Sequence, residues 1–224
     1  EKISQQAHLA KGQQSGQVRL GGIRSVATHI LPAVIERFRQ QYPGISVTIE
    51  EFSHYYHVED YLRQGRIDIG FSYLPTSADF EAWELLRDEY IVLLPPAAKP
   101  IAAQLTWDQL LSYPLIQTPP GDGCRYNVEQ YLSRNNKPIE FAYDVREDST
   151  IVSMVRRGLG AAIMARLAAE PIPDDISVAQ LPEPFERVIG VITLMDALQP
   201  PSVFAFLDTI KAVWGGKPSE PKAA

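Results

Sequence analysis

The side chains best suited to chemistry in this chain stand at four short turns. Arg24, Ser25 and Thr28 follow a Gly21-Gly22 pair. His54 and Tyr55 follow an alternating apolar run, Gln117 leads a Pro/Gly stretch that ends at Arg125, and Ser149 with Thr150 opens an apolar helical pattern. Hydroxyls, an amide, a phenol, an imidazole and a guanidinium form a set that recognises a small polar or carboxylated molecule by hydrogen bonding. Around Ser25 two readings stand side by side. Either Ser25 or Thr28 caps the helix behind it, or this helix start holds an anionic or polar ligand against its backbone N–H groups.

Other chemistries find less support. His54-x-x-His57 sets two imidazoles one helical turn apart, but no Cys or carboxylate set completes a tetrahedral site, so no metal is expected. No G-x-S-x-G or H-E-x-x-H motif occurs, and Asp68 has no partner acid or nucleophile. The chain is therefore not read as an enzyme. Gly21-Gly22 lacks the spacing of a dinucleotide fingerprint, and no cofactor is expected. The single Cys124 excludes an internal disulfide and fits a reducing, cytoplasmic compartment. Without a resolving partner it reads as a bystander rather than a redox sensor.

These turns need elements to hold them. The 224 residues allow a sizeable core, and 45% hydrophobic content is that of an ordinary globular protein. No apolar run approaches the ~18–20 residues that span a bilayer, so no membrane partner is expected. A net charge of −6 without a Lys/Arg cluster argues against a direct grip on nucleic acid.

Val18 and Leu20 mark a strand, and Val26, Ile30, Val34 and Phe38 predict one helix that Tyr42-Pro43-Gly44 stops. Ile45, Val47 and Ile49 alternate as a second strand. A helix with Val58, Tyr61 and Leu62 ends at Gly65, and 67–71 is a third strand. Residues 74–89 read as a connecting excursion before an apolar strand at 90–94, and Pro100 keeps the next loop extended. Thr106 and Gln109 form a capping box. The opening order then returns: a strand at 115–117, a helix with Val128, Tyr131 and Leu132, and a strand at 141–145. A helix capped by Ser149 or Thr150 and a strand at 160–164 follow, and Ser202 caps a last helix whose apolar side includes Trp214.

Strand-helix-strand units occurring twice predict an α/β protein of two Rossmann-like lobes joined by a two-strand hinge. The first lobe takes residues 17–93 and 195–214 and the second takes 94–194. The chain crosses between them at Ile91 to Pro95 and Val188 to Leu194. Residues 1–16 read as a helix remnant and linker, and 215–224 as a fraying tail. Ligands of open α/β sheets bind outside the carboxyl ends of the strands, which is where the four turns fall. A small-molecule cleft between the lobes is the expected site.

Gln17-Val18-Arg19-Leu20-Gly21, Ser25, Leu31-Pro32, Phe38, Tyr42-Pro43 and Gly65-Arg66-Ile67-Asp68-Ile69-Gly70 are a familiar series. With Leu110 to Ile116, Thr150-Ile151-Val152-Ser153-Met154-Val155 and Gly158-Leu159-Gly160, they resemble the effector-binding domain of LysR-type transcriptional regulators. The resemblance spans about residues 15–215, and motifs in the same order over such a length are more specific than any one of them. That domain is similar to type 2 periplasmic binding proteins. The resemblance implies effector contacts at Ser25 and its neighbour Val26, at His54 or Tyr55, and at Gln117, Thr118, Ser149 and Thr150, and the Arg24 guanidinium beside Ser25 is counted with them for its chemistry. It leaves Thr28 as the helix cap and gives Asp68 a structural role beside Gly65. Many members carry Pro where this chain has Ala165.

The implied mechanism is a shift in a homodimer or homotetramer that repositions a winged helix-turn-helix expected upstream of Glu1. Promoter DNA is then a partner only through that segment. A solute-binding protein serving a transporter is the alternative on the same fold. The identity of the effector is not written in these residues.

Overall fold

The computed structural model describes residues 15–98 and 103–215. The expected helix remnant at 1–14, the loop at Pro100 and the tail after Gly215 lie outside the described residues. The chain falls into two compact units, divided at Arg87/Asp88 and again at Arg187/Val188. Both crossings come earlier than the sequence suggests. The apolar run Tyr90 to Leu94, expected at the crossing, is buried in the core of the second unit, packed with Leu115, Ile116 and Ala161 to Ala165.

In the first unit, β1 (Gly16–Ile23) feeds two short helices, α1 (Arg24–His29) and α2 (Leu31–Gln41), rather than the single helix that the apolar spacing predicts. Pro32 supplies the reason. It lies in the first turn of α2, and without an N–H it cannot continue the hydrogen-bond ladder of α1, so the two helices break at Ile30. The strand β2 (Ile45–Phe52), the helix α3 (Tyr55–Arg63) and the strand β3 (Ile69–Tyr73) follow. The pairing of β1 is parallel on both sides. β1 runs beside β2 from Gly16↔Ile45 to Ile23↔Phe52, and beside β3 from Leu20↔Ile69 to Gly22↔Phe71.

Asp68 fixes that second register. It accepts the backbone N–H of Arg19 at 2.8 Å and pairs with its guanidinium, while Arg19 Nη1 donates to the Gly65 carbonyl at 2.6 Å. The structural role expected of Asp68 is the one it has. Gly70 is required for packing, because a Cβ there would stand 2.7–2.9 Å from side-chain carbons of Val58, Leu62 and Ile192.

The supposed excursion at 74–89 is largely strand: β4 runs from Phe80 to Leu94 (Phe80–Leu94). In the second unit α4 (Trp107–Leu111) carries the expected capping box, with Thr106 Oγ1 accepting from Gln109 N–H. The strand β5 (Leu115–Gln117), the helix α5 (Gly123–Arg134), the two-residue strand β6 (Tyr143–Asp144) and the helix α6 (Asp148–Arg156) come next. After them stand β7 (Ala161–Ala165), α7 (Arg166–Ala169), β8 (Ser177–Gln180) and β9 (Glu186–Leu194). Glu147, not Ser149 or Thr150, is the N-cap of α6, and no side-chain bond caps it.

The last helix, α8 (Pro201–Trp214), starts at Pro200 without a side-chain cap. Ser202 instead donates its hydroxyl to the Gln17 carbonyl, and Trp214 is exposed rather than packed. Phe206 of α8 meets Phe38 of α2 edge-on, with ring centroids 4.8 Å apart.

The two sheets repeat one pattern. In the first, β1 lies between parallel β2 and β3, and β9 runs antiparallel to β3. In the second, β5 lies between parallel β6 and β7, and β4 runs antiparallel to β7, with β8 on β4. The chain therefore leaves β1, and later β5, towards one neighbour and returns on the other side. Each of these central strands ends at a point where strand order reverses.

Candidate functional site

At the carboxyl edge of the first sheet, Gly21 and Gly22 bring β1 out under α1. Ile23, in extended geometry, is the N-cap of that helix, and no side chain caps it. Ser25 is therefore the second residue of the helix, not its cap, and its side chain is buried. Thr28 lies beyond the first turn, exposed to solvent, so the capping role expected of it is not the one observed. Val26 is fully buried, main chain and side chain alike.

The end of β2 lies beside this turn, because Ile23 pairs with Phe52 two residues before His54. His54 caps α3: its Nδ1 accepts the Tyr56 N–H in a long bond of 3.5 Å. The His54 ring packs on Tyr55 and Tyr56, with centroids 4.6 and 4.0 Å away. His54 is buried while Tyr55 is half-buried. The second imidazole of the His54-x-x-His57 pair stands 6.5 Å from the first. Among the described residues no cluster of three or more metal-ligating side chains occurs.

Tyr73, at the end of β3, packs against Tyr55 with ring centroids 5.2 Å apart. Sequence reasoning passed over it because it ended this strand at Phe71. The signal was present, since Ile69, Phe71 and Tyr73 continue the period of two that marks a strand face.

In the second unit, Gln117 ends β5 and is buried. Its amide donates to the Ile163 carbonyl at 3.0 Å, and its oxygen accepts from Thr118 N–H at 2.8 Å. This side chain ties β5 to β7, and Thr118 is buried with it. Ser149 and Thr150 occupy the first turn of α6 with exposed side chains. Arg125 is held by Glu129, by Asp144 at 2.8 Å and by the Thr118 carbonyl at 3.1 Å, over the face of Phe141.

Asp122, buried, caps α5 through the Cys124 N–H at 2.9 Å. Burial, and then the nearby carboxylate of Asp148, push the Cys124 thiol up to about 12, against a smaller opposing pull from Arg187. Such a thiol is almost wholly protonated at neutral pH, which agrees with a bystander role.

The structure thus gathers Arg24, Ser25, Val26, His54 and Tyr55 at one sheet edge of the first unit. Gln117, Thr118, Ser149 and Thr150 stand at the corresponding ends of the second unit. Among these side chains no nucleophile stands beside a general base.

Two α/β units of this repeated topology, each with polar side chains at a strand-order reversal, define a ligand-binding domain of the periplasmic-binding-protein type 2 class. Residues 11–215 match the family described as the LysR substrate binding domain. The chain belongs to that family and is the effector-binding domain of a LysR-type transcriptional regulator.

It is 48% identical over 211 residues to a probable HTH-type transcriptional regulator, LrrA, of Synechococcus elongatus, covering 94% of this chain and 71% of that protein. It is 27% identical over 183 residues to the HTH-type regulator YeiE of Escherichia coli K12, covering 80% of this chain and 61% of that protein. Among solved structures, the regulatory domain of Synechocystis CcmR in complex with 2-PG aligns with a TM-score of 0.80 at 18% identity, covering 89% of this chain and 98% of that one. The effector-binding domain of QuiR in complex with shikimate aligns at 0.74 and 20% identity, covering 90% and 98%. These relatives are regulators, which favours the regulatory reading over the transporter alternative and over catalysis. No helix among the described residues is long and apolar enough to cross a membrane.

Proposed function

We propose that this domain binds a small polar or anionic metabolite at the strand-end edges, with Ser25 as the anchoring contact. One observation carries this reading. Ser25 is buried at the strand-order reversal of the first sheet, in a helix whose start uses no side-chain cap. Arg24 and the buried Val26 flank Ser25 in the chain, and the His54–Tyr55 turn follows the strand end that pairs with Ile23. Gln117, Thr118, Ser149 and Thr150 form the corresponding strand-end set of the second unit. Gln117 and Thr118 act through the buried frame that holds the loop after β5, and Ser149 and Thr150 act through exposed hydroxyls.

Effector binding then shifts the equilibrium of a homodimer or homotetramer and, through a winged helix-turn-helix elsewhere in the whole protein, changes its hold on promoter DNA in the cytoplasm. The names of the relatives support that sequence of events.

The test is a melting-temperature screen against small carboxylates, sugar phosphates and amino acids, followed by calorimetric titration of the hits into the parent domain and Ser25→Ala. A ligand that binds only the folded state raises its melting temperature. Ser25→Ala should lose about tenfold or more in affinity while losing no more stability than one hydrogen bond, about 1 kcal/mol. Unchanged affinity for every hit would remove Ser25 from the site.

A further inference from the structure

We infer that Tyr73, together with Tyr55, is a specificity-determining residue of the first unit's edge and selects an acid that carries a flat ring beside its polar head. The inference deepens, and rests on, the reading of that edge as the effector site.

The register puts Tyr73 in place. β1 and β3 run parallel with Gly22 opposite Phe71, so Tyr73, two residues further on, stands at the same carboxyl edge from which β1 passes into α1 and its Ser25. The end of β2 flanks the same point, with Ile23 opposite Phe52 and the His54–Tyr55 turn just beyond. The ends of β2 and β3 thus present three rings in a row. His54 meets Tyr55 at 4.6 Å and 37°, and Tyr55 meets Tyr73 at 5.2 Å and 34°.

The wall they form stands on rigid supports. Tyr73 is paired with Ile189 in the sheet, and the fully buried Ser72 hydroxyl donates to the Tyr55 carbonyl at 3.5 Å. Tyr55 and Tyr73 are both half-buried, so each leaves part of a large apolar surface at the edge where Ser25 lies.

A short acyclic acid held at Ser25 is too small to cover two phenol rings. A ring attached to the carboxylate covers them and gains the offset or tilted aromatic contact in addition to burial. Polar anchoring at Ser25 beside an apolar aromatic wall is the usual division of labour in a small-molecule site, where few polar groups orient and apolar walls supply area. Selection by this wall therefore acts on the body of the effector, and Ser25 acts on its head.

Benzoate and propanoate are the probes, titrated by calorimetry into the parent domain, Tyr73→Leu, Tyr73→Phe and Ser25→Ala. In the parent, benzoate should bind about tenfold tighter than propanoate. Tyr73→Leu should bring that ratio towards one, Tyr73→Phe should keep it, and Ser25→Ala should weaken both acids alike. A parent ratio near one, or a ratio unmoved in Tyr73→Leu, overturns the inference. If Ser25→Ala still weakens both acids in that case, the effector-site reading survives. If neither acid binds the parent, the ring-acid class falls, and the broader screen with Ser25→Ala decides the site separately. Should Tyr73→Leu fail to fold, Tyr55→Leu removes the other half of the wall and reads the same ratio.

Discussion

Asp88 and Arg187, the first and last residues of the second unit, form a buried ion pair 2.7 Å long. They face each other across β4 and β9, where the Tyr90 N–H donates to the Phe185 carbonyl two residues further in. Arg187 bonds one carboxylate oxygen of Asp88, and the other accepts the Leu167 N–H at the start of α7. Three separate stretches of chain are thus tied at one carboxylate.

Removing one partner strands the other charge in the interior. Asp88→Ala should therefore destabilise the domain by about 3–5 kcal/mol. Replacing both, Asp88→Leu with Arg187→Met, removes the stranded charge and leaves chiefly the unpaired Leu167 N–H, at a cost of about 1–3 kcal/mol. Urea unfolding followed by circular dichroism distinguishes them. A double variant less stable than the single one would contradict this account.

Cys124 offers a second prediction. A thiol raised from an ordinary 9.0 to about 12 by burial and by Asp148 holds about a thousandfold less thiolate at pH 7.5. Iodoacetamide should label the folded domain far more slowly than the same chain in urea, and Asp148→Asn should speed labelling of the folded form. Equal rates in the folded and unfolded chain would show that the thiol is neither buried nor raised.

The third concerns Arg63, which binds Asp79 at 2.8 Å, Glu59 at 3.1 Å and the Ser77 hydroxyl at 2.7 Å, and so ties α3 to the turn before β4. The hydrogen bond from Arg63, and then that from Ser77, hold the Asp79 carboxyl down at about 2. A carboxyl depressed in the folded state contributes stability above its unfolded value, near about 3.9, and loses it as pH falls through the folded value. Carbon-detected NMR should find Asp79 ionised at pH 3. Arg63→Met should return it towards the ordinary carboxylate range, and an unmoved titration in that variant would refute the assignment.

Much of this architecture can be read from residue order. The doubled strand-helix-strand pattern, the capping box at Thr106 and the end of a helix at Gly158 all follow from local rules. What local rules missed lies where a distant partner decides. Pro32 splits a helix whose apolar spacing is continuous, and Ser202 spends its hydroxyl on Gln17, far away in sequence.

At the candidate site, residue types pointed to the strand-end turns but not to the exposure of each side chain. Gln117 looks like a ligand contact and is consumed by Ile163 and Thr118. Tyr73 was lost with two residues of strand. The Asp88–Arg187 pair could not be found by spacing, because its members meet only when β4 and β9 run side by side.

The second unit begins and ends within the chain, at Asp88 and Arg187, whereas the first is made of two separate segments. Its two ends are held side by side by their own side chains. In evolutionary terms it has the form of an inserted cassette, an uninterrupted stretch of coding sequence whose ends already meet. The chain therefore leaves the first unit and returns to it at one place.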